Sequence, residues 1–205
     1  TLPGGATRVV SPSETVLDEA TVRRQLVARD YMEAINYAFV DGELLAKWQA
    51  TEGGMTLANP LSAELGTMRT MLLPGLVAAL GRNVARQQLR VRLFEMGKVF
   101  AMRAGEAPLE TRRIAAVVCG DVQSEQWGAQ ARPVDFHDLK GDLDSLALAV
   151  GATLEYRPSQ LACGHPGRSA DVYRDNLSIG WIGQLHPRLQ RALDLDTVPV
   201  AFEID

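Results

Sequence analysis

Residues 59–100 read NPLSAELGTMRTMLLPGLVAALGRNVARQQLRVRLFEMGKVF, and this stretch decides the fold. Asn59 precedes Pro60, and a residue before proline is pushed to extended geometry, so the stretch opens as extended chain. Pro74 sits where a helix can begin, because a first-turn proline forfeits no hydrogen bond it would otherwise make. Leu72, Leu76, Leu80 and Val84 recur at every fourth position, with Leu73, Val77 and Ala78 widening the stripe. That spacing predicts a helix with one buried face. Arg82, Arg86 and Arg90 recur at the same interval and are expected to line a second face of that helix. Val91, Leu93, Phe94, Met96, Val99 and Phe100 then predict a strand too apolar for a half-exposed edge, hence a central one.

The rest of the chain extends this pattern on both sides. Ser11-Pro12-Ser13-Glu14 has the form of a capping box, and Val16, Leu17, Ala20, Leu26 and Val27 give a helical apolar face up to Asp30. Residues 33–40, EAINYAFV, suit a strand. A short helix is expected at 41–50, ended by Gly53-Gly54 before a short strand at 55–58. A hairpin turn at 103–108 leads to a returning strand at 113–119, then to a polar loop at 121–134 whose one large apolar residue is Trp127. A helix follows at 138–150, with Leu139, Leu143, Leu146 and Val150 on one side and Gly151 as its cap. Strands are expected at 153–158, 170–174 and 178–184, the last two joined by a turn at Asp175-Asn176. A short helix at 187–193 and a strand at 198–204 complete the chain. Successive hairpins with helices between them predict an α+β fold, an antiparallel β-sheet flanked by helices.

Composition narrows the function classes. The chain has 205 residues, 46% of them hydrophobic, which leaves room for one large core or two small ones. Twenty-one Lys and Arg face 25 Asp and Glu, a formal charge of -4, so no global basic field recruits nucleic acid and any RNA contact must be local. Cys119 and Cys163 lie far apart with no partner spacing, which suits a reducing cytosol and predicts a cytoplasmic location. No apolar run approaches the roughly 20 residues of a membrane span. Residues 1–10, TLPGGATRVV, have neither an initiator methionine nor a signal-type apolar run. They read as a linker from a preceding domain, with 11–205 as one core domain.

The runs NPLSAELGTMRTMLLPGL and RLFEMGKVF resemble the core of the beta subunit of bacterial phenylalanyl-tRNA synthetases. YMEAINYAFV at 31–40, DFHDLKGDLDSL at 135–146, HPGRSA at 165–170 and IGQLHPRL at 182–189 match in the family's order. The resemblance covers nearly the whole chain. It implies a class II aminoacyl-tRNA synthetase-like fold that has lost the catalytic residues and docks the catalytic alpha subunit. It further implies an alpha2-beta2 heterotetramer that charges tRNA-Phe, with ATP and Mg bound by the alpha subunit, and makes the first helix an interface element.

Two departures from the class II pattern carry the non-catalytic reading. The second family motif usually reads Phe-Arg-x-Glu, its arginine neutralising the α-phosphate; here the residues are Phe100-Ala101-Met102-Arg103. Phosphoryl chemistry relies on positioning and charge neutralisation, so the missing cation removes a device worth about several kcal/mol. The third motif is glycine-rich so that backbone can approach the nucleotide, whereas Phe202-Glu203-Ile204-Asp205 supplies bulk and negative charge. No catalytic and no cofactor-binding residue is therefore assigned within this chain.

Other candidates are weaker. Cys163 and His165 form one close pair where a zinc site needs about four ligands, so no metal is assigned. His165 and His186 each precede a proline, a pattern of shaped turns. The arginine row at 82, 86 and 90 is either a solvated face whose cations suit a helix C-terminus, or a set of contacts to the catalytic subunit or to tRNA phosphates. Leu17, Val27, Arg69, Arg82, Arg86 and Arg90 are assigned to a partner interface. Met68, Met71 and Leu72 belong to the core, or to that interface if exposed. Two rival readings are an active stand-alone adenylate-forming ligase, opposed by Ala101 and Glu203, and an RNA-binding module, opposed by the acidic net charge. Homodimerisation of the isolated chain through its orphaned surface stays open.

Overall fold

The computed structural model describes residues 18–102, 105 and 107–205. The capping-box run 11–14, Leu17 and Arg103 lie outside the described residues. The main sheet has seven strands: β1 (Met32–Glu33), β5 (Val91–Ala101), β6 (Leu109–Cys119), β10 (Val200–Ile204), β9 (Leu177–Leu185), β8 (Gly164–Arg174) and β7 (Glu155–Pro158), in that spatial order. Only β1 runs parallel to its neighbour; the other five pairings are antiparallel. Three two-residue strands, β2 (Phe39–Val40), β4 (Thr67–Met68) and β3 (Met55–Thr56), form a separate small sheet. The described residues thus fold as expected, with an antiparallel sheet flanked by helices.

Strand alternation sorts the core into two layers. Val91, Leu93, Val99, Ala115, Val117 and Ala201 point to one face, where α3 (Leu73–Ala85) buries Leu76, Val77 and Leu80. Phe94, Ala116, Val118, Ile182 and Phe202 point to the other, under α1 (Glu19–Val27) and α4 (Phe136–Leu148), which contribute Leu26, Leu139 and Leu143. A fully buried leucine contributes about 1.5–3 kcal/mol, so α3 is held by its apolar stripe. α2 (Gly42–Trp48) and α5 (Pro187–Ala192) flank the α3 side, burying Trp48 and Leu189.

Local chemistry explains most element boundaries. α4 begins two residues earlier than its apolar spacing suggests, because Asp135 and Asp138 form a reciprocal capping box. Asp175 and Asn176 both take positive φ, 50° and 64°, the geometry a tight two-residue hairpin requires between β8 and β9. β8 starts at Gly164, ahead of the expected 170, since Gly164 still pairs with Leu185 across a bulge before Ser169.

Three expectations fail. Residues 33–40 are not one strand: β1 ends at Glu33, and the chain resumes pairing at Phe39 in the other sheet. Between the two, Asn36 turns its side chain inward and donates to Glu95 at 2.6 Å. β5 is not central but second from the edge. β1 covers two of its residues, and its outer side is completed by loop groups, Phe100 N–H donating to the Arg69 carbonyl and Met102 N–H to that of Gly53. Finally, the arginine row is not one helical face, because α3 ends at Ala85 and Gln87 takes a φ of +65°. Arg90 therefore stands past the helix and donates to the Asp121 and Val122 carbonyls and to Asp30. Among the described residues no helix is long and apolar enough to cross a membrane.

Candidate functional site

Beneath the start of α3, the sheet carries charge where a core is normally apolar. Glu95 on β5 and Glu203 on β10 each sit opposite Ala115 of the intervening β6, so the two carboxylates share one row and one face, two strand spacings or about 10 Å apart. Both are almost wholly buried, at 3% and 4% exposure. An unpaired buried charge costs several kcal/mol, so each requires its own partners.

Those partners come from distant parts of the chain. Glu95 takes a 2.5 Å ion pair from Arg69, itself 6% exposed, and the Asn36 amide. Arg69 also donates through Nε to the Lys98 carbonyl. Gly97 makes room for it: a Cβ there would come within 2.3 Å of the Arg69 Nη2. Glu203 accepts from the N–H groups of Leu72 and Leu73 at 2.9 and 3.0 Å, and from Arg113 at 3.1 Å. A carboxylate at a helix N-terminus satisfies donors that have no intrahelical acceptor and meets the positive end of the helix dipole.

Burial raises the Glu203 pKa above the usual carboxylate range, against the opposing pull of Arg113 and the two N–H groups. The Arg113 guanidinium is held above its ordinary value although burial opposes this, because the Glu203 and Asp205 carboxylates flank it. Burial, aided by the Glu203 charge, pushes the Cys163 thiol up to about 12, which leaves it unreactive. The belt is thus closed on itself: each of its carboxylates is engaged by groups of the chain, and its chemistry is to clamp α3 and the 69–73 segment onto β5, β6 and β10.

The positions singled out in the sequence fall differently from one another. Ala101 ends β5 against the loop at Gly53, where a Cβ would lie 3.5 Å from that of Ala101. Arg69 is not on a partner surface, because Glu95 holds it in the interior. Arg90 is engaged by the loop after β6, and it is not the third member of an exposed row. Arg82 and Arg86 are exposed, and no ion pair is recorded for either among the described residues. Val27 is 57% exposed. Met68 and Leu72 are core residues, and Met71 is partly buried against the same cluster. His186 caps α5, its Nδ1 accepting from Arg188 N–H, and His165 Nδ1 lies 2.7 Å from the Pro166 carbonyl. Among the described residues no group of three or more His, Cys, Asp or Glu is placed to hold a metal ion.

A second surface was not legible as such in the sequence. Along the β1 edge, Val27, Met32, Ile35 and Tyr37 are exposed, Ile35 at 93% and Tyr37 at 69%. Ile35 and Tyr37 flank the inward-turned Asn36, so the hydrogen bonds that fix Asn36 also present its neighbours outward. The available signal was the alternation of Ile35, Tyr37 and Phe39, which reads equally as one side of a half-buried strand.

Comparison with known proteins places this geometry. A family model described as the phenylalanyl tRNA synthetase beta chain CLM domain matches residues 1–205. The chain is 65% identical over 205 residues to the phenylalanine--tRNA ligase beta subunit of Xanthomonas campestris pv. campestris strain 8004, covering 100% of this chain and 26% of that protein. It is 60% identical over 205 residues to the beta subunit of Xylella fastidiosa strain Temecula1, covering 99% and 26%. The chain therefore spans about a quarter of the length of the curated relatives it matches. Among solved structures, Desulfitobacterium hafniense PylSc, a pyrrolysyl tRNA synthetase, superposes with a TM-score of 0.66 at 17% identity, over 91% of this chain and 64% of that one. That likeness concerns the fold alone, which is class II synthetase-like.

Proposed function

This chain belongs to the phenylalanyl-tRNA synthetase beta chain family, and from that premise we propose that it is a non-catalytic core module that docks the catalytic alpha subunit. The closed charge belt carries the reading. Nucleotide activation requires cations free to meet phosphate and backbone open to approach. Here Arg113 is committed to Glu203 and Asp205, Arg69 to Glu95, and Glu203 blocks the start of α3. An anionic ligand would have to displace two buried carboxylates.

On this reading the 11–205 core acts inside an alpha2-beta2 phenylalanine-tRNA ligase in the cytoplasm. ATP and Mg are bound by the alpha subunit, and tRNA-Phe is aminoacylated by the assembly. The docking surface is the β1 edge with the end of α1, comprising Val27, Met32, Ile35 and Tyr37. Large apolar side chains left in solvent along a sheet edge favour a protein partner. Arg82 and Arg86 supply a polar rim, and the isolated chain can dimerise through the same apolar surface.

Two measurements test this. The chain co-expressed with the alpha subunit should co-purify with it, and the chain alone should give no ATP–pyrophosphate exchange with phenylalanine. Exchange by the isolated chain would establish the stand-alone ligase instead. Binding of tRNA without the alpha subunit, persisting at moderate salt, would establish the RNA-binding module.

A further inference from the structure

On the α4 side of the sheet, away from both the charge belt and the β1 edge, lies a cleft of about 1320 Å³. Three of the stretches that mark the family meet in it: Phe136 and His137 from 135–146, Arg168 and Ala170 from 165–170, and Gln184 from 182–189. The apolar lining includes Val134, Ala170, Val198 and Val200, with Tyr156 and Pro166 among the walls. Val198 is 51% exposed although it is a large apolar side chain.

The charges around the cleft argue against a nucleic acid. Arg132, Arg157 and Arg168 face Asp121, Asp135 and Asp196, so the lining is balanced. Arg132 is locked in a two-pronged pair with Asp138, and Arg157 is bonded to Glu155 and Asn176. Arg168 donates to Gln184, and Asp135 is spent as the cap of α4. Binding a phosphate backbone depends on an excess of cations, whereas an apolar floor with a charge-balanced polar rim is the anatomy of a protein interface.

A loop rises beside this cleft, its base shared with the cleft at Asp121, Arg132 and Pro133. The base is pinned. Val122 N–H donates to the Arg132 carbonyl, Val134 N–H to that of Gly120, and Arg90 grips the Asp121 and Val122 carbonyls. Beyond this base stands Trp127, its side chain fully in solvent, whereas Trp48 and Trp181 are buried. The pinned base fixes where the loop leaves the sheet, and tryptophan leads the residues that anchor protein contacts.

We propose that the cleft and Trp127 together seat another domain of the same polypeptide, which covers the indole and places an apolar side chain against Val134, Ala170 and Val200. The matched region is 26% of the length of its relatives, so most of their chain lies outside it and is tethered to it at high effective concentration. A tethered domain occupies such a seat at that effective concentration whatever the charge of its lining.

The test uses the whole polypeptide in its assembled form, with p-benzoylphenylalanine at position 127 in place of Trp127. The expected product is a cross-link within one chain, mapping outside residues 1–205. A cross-link to tRNA, a cross-link to a separate polypeptide, or no cross-link overturns the proposal. Independently, the fluorescence difference between the native protein and W127F should show Trp127 several-fold less accessible to acrylamide than free indole; full quenching overturns it. Val198→Arg, at an exposed position, should restore quenching while co-purification of the alpha subunit stays unchanged. Continued protection in that variant also overturns the seat, and the unchanged co-purification separates this outcome from failure of the docking function.

Discussion

Under α3, the sheet hides Glu95, Glu203 and Arg69 from water, while along the β1 edge Ile35 and Tyr37 are left in it. Each region reverses the usual distribution of polar and apolar groups. The first is closed, because each buried carboxylate has found a cation and further donors within the chain. The second is open, because no described residue covers it. The two are joined at Asn36, whose amide enters the closed region while its neighbours form the open one. A polar interior that satisfies itself is a structural clamp, whereas an apolar exterior that does not is a surface for another molecule.

Opening the clamp should have the largest effect. Glu95→Ala leaves Arg69 buried without its partner and should cost about 3–5 kcal/mol in urea unfolding, with loss of co-purification as Asn36 is released. If stability falls while docking persists, the two regions are not coupled. Tyr37→Ala probes the open side. It should leave the unfolding midpoint of the isolated chain within about 0.5 kcal/mol and weaken alpha-subunit binding by about 2 kcal/mol, measured by titration. An unchanged affinity would remove Tyr37 from the docking surface.

Acid–base behaviour separates the two carboxylates' region from the rest. Burial raises the folded-state pKa of Glu203, so between its unfolded and folded values the native state holds more protons. Stability is then greatest below that window and declines as pH rises through it, by at most about 1.4 kcal/mol per pH unit. Glu203→Gln should abolish that decline in unfolding series at matched ionic strength. The smallest effect is expected at the rim: Arg86→Glu should change folding by less than about 0.5 kcal/mol and weaken docking only at low salt.

Much of this molecule could be read locally. The stripe at Leu76, Val77 and Leu80 marks α3, and the apolar run of β5 and the hairpin at Asp175-Asn176 mark the sheet. The arginine row misled because an interval of four implies a shared face only while the helix lasts, and α3 stops at Ala85. Arg69 misled because a charged residue is normally solvated unless a partner far along the chain awaits it. EAINYAFV misled because a strand-like alternation does not reveal that its middle residue is claimed by Glu95.

Sequence alone therefore determined most of the elements, their order and the class of fold, since helix period, strand alternation and turn chemistry act over a few neighbouring residues, while the family was carried by the resemblance of whole runs such as residues 59–76. Tertiary structure alone decided which charges became interior and which apolar side chains stayed outside. The groups that bind Glu203 lie 131, 130 and 90 positions away, and Arg69 lies 26 from Glu95. No local periodicity carries information about a partner at that distance, because the pairing exists only after the strands have been brought side by side.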